Sequence, residues 1–117
     1  MVSKTGSAST VSAQEIAIFK NASDSEFQFR RLEWGDFDKG FLEALKGLTV
    51  VGDITKQEFG VRFDEIFPRL SDLYKIIVVE DLRKGKIVGA GTLLVELKFL
   101  RHLGKCGHIE DIVVDKN

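Results

Sequence analysis

The apolar period changes from helical to strand-like near Pro68, and that change limits the fold more than any other feature. Before it, apolar residues recur at helical spacing: Phe37, Phe41, Leu45 and Leu48, then Phe59, Phe63, Ile66 and Phe67. After it, Tyr74-Lys75-Ile76-Ile77-Val78-Val79-Glu80 runs as a nearly continuous apolar strand, the pattern of a strand central in a sheet. Leu82-Arg83-Lys84-Gly85 reads as a turn, with Gly85 free to take positive φ. Lys86–Leu97 then makes Tyr74–Leu97 a hairpin. Gly89 and Gly91 inside its second arm predict a bulge or close backbone packing. A last strand is expected over Gly107–Val114.

Before the helices, Phe27-Gln28-Phe29-Arg30-Arg31-Leu32 alternates apolar and polar residues like a half-buried strand. Asp36 is the expected N-cap of a helix from Phe37 to Lys46 that ends at Gly47. Thr55 with Glu58 spells a capping box for the second helix, which Pro68 closes. Residues 1–25 are rich in Ser, Ala and Thr and predict a flexible leader, with a helical turn or two over Glu15–Lys20. The expected fold is thus α/β (α+β), in the order strand, helix, helix, strand, strand, strand, over residues 26–117.

With 17 basic and 18 acidic residues, the net charge of −1 gives no long-range pull toward nucleic acid. No apolar run is long enough for a membrane span, and a cytoplasmic protein is expected. One cysteine, Cys106, excludes an intramolecular disulfide and a zinc cluster built on cysteines. His102 and His108 lack a close third ligand in sequence, so no metal is expected.

Two features carry chemistry. Glu110 and Asp111 form an acidic pair inside a β-branched strand, and simple alternation sends their side chains to opposite faces. Residue types alone favour an acidic strand edge held by Lys or Arg, with a ligand-facing carboxylate as the alternative. Lys98, Arg101, His102 and Lys105 crowd the connection before that strand. Such a cluster suits a phosphate, although most charge runs are solvated loops.

The segments Phe29-Arg30-Arg31-Leu32, Leu48-Thr49-Val50-Val51-Gly52-Asp53 and Val95-Glu96-Leu97-Lys98-Phe99 resemble the glucosamine 6-phosphate N-acetyltransferase family, within the GNAT superfamily of N-acetyltransferases. The strongest match is Gly104-Lys105-Cys106-Gly107-His108-Ile109-Glu110-Asp111-Ile112-Val113-Val114. The resemblance implies a GNAT-like mixed sheet and transfer of acetyl from acetyl-CoA to the amine of glucosamine 6-phosphate, a step toward UDP-N-acetylglucosamine. It places Lys98, Phe99, Leu100 and Arg101 on the sugar phosphate, with His102 able to share that task. It places Thr49 beside the sugar, Glu110 and Asp111 beside the amine, and Ile112, Val113 and Val114 along the pantetheine arm. It also implies a homodimer and no metal. The family's pyrophosphate loop, Arg/Gln-x-x-Gly-x-Gly/Ala, would begin just past Asn117, where this sequence stops. A truncated sheet, ending after its fourth strand and weak or inactive alone, is therefore expected. The alternative is a non-catalytic fragment that joins a full-length subunit through its open last strand.

Overall fold

The computed structural model describes residues 12–115. Its elements are α1 (Ala13–Ala22), β1 (Phe27–Arg31), a 3-10 turn at Trp34–Phe37, α2 (Phe41–Leu45), α3 (Lys56–Ile66), β2 (Tyr74–Asp81), β3 (Lys86–Leu97) and β4 (Lys105–Val114). The strands form one sheet in the order β1-β2-β3-β4, and every neighbouring pair is antiparallel. The expected mixed sheet is therefore purely antiparallel over the described strands. β2, β3 and β4 form a meander because the connections between them are too short for a parallel crossover, while β1 joins beside β2 after the helical segment of residues 32–73.

The two expected helices differ in how well local signals survive. In α3 the capping box forms as spelled: Thr55 Oγ1 accepts from the Glu58 N–H at 3.1 Å, and Glu58 Oε1 accepts from the Thr55 N–H at 2.9 Å. The single helix expected over Phe37–Lys46 is instead broken in two. Gly40 sits at φ 82, outside the right-handed helical region, between the 3-10 turn and α2. Asp36 is not the N-cap of a helix at Phe37. Its carboxylate accepts from both terminal nitrogens of Arg30, at 2.8 and 2.7 Å, and from the Glu33 N–H at 2.8 Å. Leu48, expected on the buried stripe, lies past α2 and is 44% exposed.

Leu32, Phe41, Ala44, Phe59, Phe63, Phe67, Val78 and Ile87 make the core where α2 and α3 cover one face of the sheet. Its aromatic spine runs Phe41–Phe59–Phe63–Phe67, with centroids 6.1, 6.0 and 4.9 Å apart. Each such buried ring contributes about 2–3 kcal/mol of transfer free energy. Gly60 lets α3 lie against Trp34; a Cβ there would stand 2.3 Å from the indole Cζ2.

Residues 1–11 of the expected leader lie outside the described residues. From Ser12 onward the chain is helical, capped by Ser12 and reaching well past Glu15–Lys20. Glu15 Oε1 meets Arg31 Nη2 at 3.1 Å, which ties α1 to β1.

Candidate active site

Pairing along β3 and β4 positions the acidic pair. Thr92 faces Glu110 and Ala90 faces Val113, so Asp111 and Ile112 together oppose Gly91 alone. This is a β-bulge, and Asp111 takes φ 53 to make it. The glycine-marked irregularity expected in β3 is thus present, at Gly91, where no side chain crowds the doubled residues. A second shift falls between Val79 and Glu80, beside Gly89. The simple alternation that sent Glu110 and Asp111 to opposite faces is interrupted at this point. Because directly opposed residues share a face, Glu110 lies on the face of Ala90 and Val113, toward the helices.

Val113 is the one buried residue of β4. Its Cγ2 is 3.4 Å from where a Gly47 Cβ would be, so the end of α2 packs on β4 just beyond the bulge. Thr49 follows two residues later in an exposed loop, with its N–H on the Leu45 carbonyl at 3.4 Å. The fold therefore brings the loop of Thr49 to the end of β4 that carries Asp111–Val114. A cleft of about 440 Å³ lies beside that end, lined by Gly40, Glu43, Ala44, Gly47, Lys86, Ile87 and Val114 among others.

Glu110 and Asp111 are exposed, and among the described residues neither forms a salt bridge. The strand edge held by Lys or Arg, favoured from residue types, does not form there. The outer edge of β4 has no strand beside it in the described sheet. Past the bulge, alternate backbone groups of that edge point away from β3.

The basic connection closes on itself. Lys98 N–H donates to the Gly104 carbonyl at 2.9 Å, Leu103 N–H to Phe99 at 3.1 Å and Gly104 N–H to Leu100 at 3.0 Å. Arg101, His102 and Leu103 all sit at positive φ, 54, 57 and 61, giving a left-handed turn. The turn leaves Phe99 89% and Leu100 71% exposed, beside the exposed Arg101 and His102. Lys98 Nζ lies 3.3 Å from Glu96 Oε2.

The two halves of the expected site do not meet within one chain. Lys105 and Glu110 are five residues apart on β4, about 17 Å of extended strand, with the basic turn beyond Lys105. A group that sequence reading passed over lies between them. Glu96 faces Cys106 across the hairpin, and His108 follows two residues on. His108 Nε2 is 3.0 Å from Glu96 Oε1. The hydrogen bond from His108, then that from Lys98, holds the Glu96 carboxyl below its ordinary pKa. Only the strand register reveals this grouping, since Glu96 is ten residues from Cys106 in sequence.

No family model matches the chain. It is 49% identical over 94 residues to glucosamine 6-phosphate N-acetyltransferase 1 of Dictyostelium discoideum, covering 80% of this chain and 59% of that protein. It is 49% identical over 89 residues to the glucosamine 6-phosphate N-acetyltransferase of Arabidopsis thaliana, covering 76% of this chain and 59% of that one. The crystal structure of the Arabidopsis enzyme superposes with a TM-score of 0.74, over 77% of this chain and 60% of the other. A Trypanosoma brucei acetyltransferase at 32% identity superposes with a TM-score of 0.68, over 78% of this chain and 61% of that one. The chain therefore has the α+β fold of the GNAT acetyltransferases. Within that class it is a homologue of the glucosamine 6-phosphate N-acetyltransferases and spans 59% of the length of the two curated relatives named above.

Proposed function

We propose that this chain carries the acceptor-binding part of an acetyl-CoA-dependent glucosamine 6-phosphate N-acetyltransferase. The observation that carries the reading is the bulge at Asp111, set in an acidic strand whose outer edge is open. Homology to enzymes of that name supplies the substrate.

A sugar ammonium is not nucleophilic, so a proton must leave before attack. Glu110 and Asp111 orient the amine and draw that proton off, directly or through water. Acetyl-CoA supplies the thioester whose C–S bond breaks as the amide C–N bond forms; the thiolate leaves and no covalent enzyme intermediate is needed. The bulge turns backbone N–H groups out of the regular ladder, where they can stabilise the developing oxyanion. Ile112, Val113 and Val114 present the strand edge to the pantetheine arm. Thr49 lies on the sugar side, and Lys98 and Arg101 hold the phosphate, with Phe99 and Leu100 shaping the turn. Anchoring the phosphate lowers the entropic part of the barrier.

The product's use in making UDP-N-acetylglucosamine, and a cytoplasmic setting, belong to the same proposal. So does a homodimer, because a second copy can bring its basic turn to the first copy's acidic bulge. No helix among the described residues is long and apolar enough to cross a membrane.

Amide NMR spectra of the chain titrated with glucosamine 6-phosphate test the reading. Shifts at both Lys98–Arg101 and Glu110–Val114 are expected. No shift at either segment, with another amine moving the bulge, would mean a different acceptor. Acetyl-CoA should also raise the unfolding temperature. Tight association with a full-length subunit and no response to CoA would instead favour a non-catalytic fragment.

A further inference from the structure

We propose that Glu96, Cys106 and His108 form a three-ligand site for a divalent cation of the zinc type. The site is independent of the acetyl-transfer reading and uses none of its residues. One ligand atom from each side chain, a carboxylate oxygen, the thiol sulfur and a ring nitrogen, lies within 4.8 Å of the other two. The register explains why. Glu96 is directly opposite Cys106, and His108 is the next residue on the same face of β4. Three donors of different chemistry therefore stand as a tripod on one rigid hairpin.

The donor set selects the metal. Magnesium and calcium require oxygen ligands and gain nothing from a thiolate or imidazole. Zinc takes sulfur, nitrogen and carboxylate oxygen together, with bonds of about 2.0–2.3 Å that place tetrahedral ligands about 3.2–3.8 Å apart. His108 Nε2 and Glu96 Oε1, at 3.0 Å, are already about that close. The remaining contraction is on the order of 1 Å, a small rotation for half-exposed side chains. Glu96 and His108 are exposed and Cys106 is partly so. A water can complete the fourth position, and the thiol proton passes to solvent on binding.

An ordinary surface ion network accounts for Lys98, Glu96 and His108 but has no use for a sulfur on the same face. His102, the other histidine, sits at the turn and is outside the group. The expectation of no metal took the two histidines together and found no close third ligand in sequence; the hairpin instead groups one of them with a cysteine and a glutamate. Lys98 Nζ, 3.3 Å from Glu96 Oε2, competes for the carboxylate, so metal uptake should free that lysine.

The test is a titration of the reduced, metal-free 117-residue chain with cobalt(II), followed by optical absorption, and with zinc(II), followed by calorimetry. One equivalent is expected to bind, with a thiolate-to-cobalt charge-transfer band. Cys106→Ser should abolish that band and weaken zinc at least about tenfold, and His108→Ala and Glu96→Gln should weaken zinc by a similar factor. His102→Ala should bind as the parent does. Undiminished zinc affinity in Cys106→Ser, or its loss in His102→Ala, would overturn the site. Should a variant fail to fold, alkylation of Cys106 in the parent decides. Zinc should slow it markedly, and an unchanged rate would count against the proposal.

Discussion

At the scale of single residues, proton removal and phosphate anchoring are separable. In a completed enzyme that carries this segment, Glu110→Ala should lower kcat about a hundredfold or more while leaving acetyl-CoA affinity nearly unchanged, measured by CoA release and by calorimetry. Equal turnover in variant and parent would remove Glu110 from the chemistry. Lys98→Ala and Arg101→Ala should act chiefly on KM for the sugar phosphate, by about tenfold each. Glu80 gives a pH-dependent case. Burial disfavours its charge, but hydrogen bonds from Arg30 and Lys39 outweigh this and hold the carboxyl below its ordinary 4.5. Its stabilising contribution is complete above the unfolded-state value and is lost as pH falls through the lower folded value. The difference in thermal midpoint between the parent and Glu80→Gln should therefore shrink in acid, below about pH 4.5. Glu110 and Asp111 stand out in the sequence as an acidic pair in a β-branched run, and Lys98 as part of a separate basic connection. Glu96 does not, because its partners come from the other arm of the β3–β4 hairpin, ten or more residues away in sequence.

At the scale of elements, the outcome depends on whether the deciding interaction is local. The Thr55–Glu58 capping box spans one turn, and α3 begins where it says. The arms of the β2–β3 hairpin were equally legible, since their apolar runs and Gly85 lie side by side in sequence. The break between the 3-10 turn and α2 was not, because Asp36 closes a capping box with Glu33 one turn earlier and also binds Arg30 on β1, a tertiary contact that local propensity does not show. Gly60 tests the packing of α3 through the sign of its effect. In an exposed helix Gly→Ala would stabilise by about 1 kcal/mol. Here the added methyl would overlap the Trp34 indole. Gly60→Ala should instead destabilise by about 1–3 kcal/mol in a denaturant titration.

At the scale of the whole molecule, the about 17 Å between acidic bulge and basic turn bears on assembly. If two copies share each site, then at sugar phosphate well below KM the Glu110→Ala and Lys98→Ala chains of a completed enzyme are each impaired alone but complement on mixing. In random dimers half are mixed and half of their sites are intact, so about a quarter of parent activity should return. No recovery on mixing would assign both groups to one chain. The β2–β3–β4 meander was legible because strands joined by short connections have few alternatives; the place of β1 beside β2 was not, since residues 32–73 separate them.

The bulge also does arithmetic for the strand. In an unbroken β4, Glu110 and Val113 would differ by an odd number of residues and face opposite ways. One extra residue at Asp111 restores parity, so the carboxylate and the anchor valine share a side. Deleting that residue would leave Thr92 on Glu110 and Ala90 on Val113. The kink is therefore detachable from the architecture that displays it: a shortened strand could fold in the same register and lose only its chemistry.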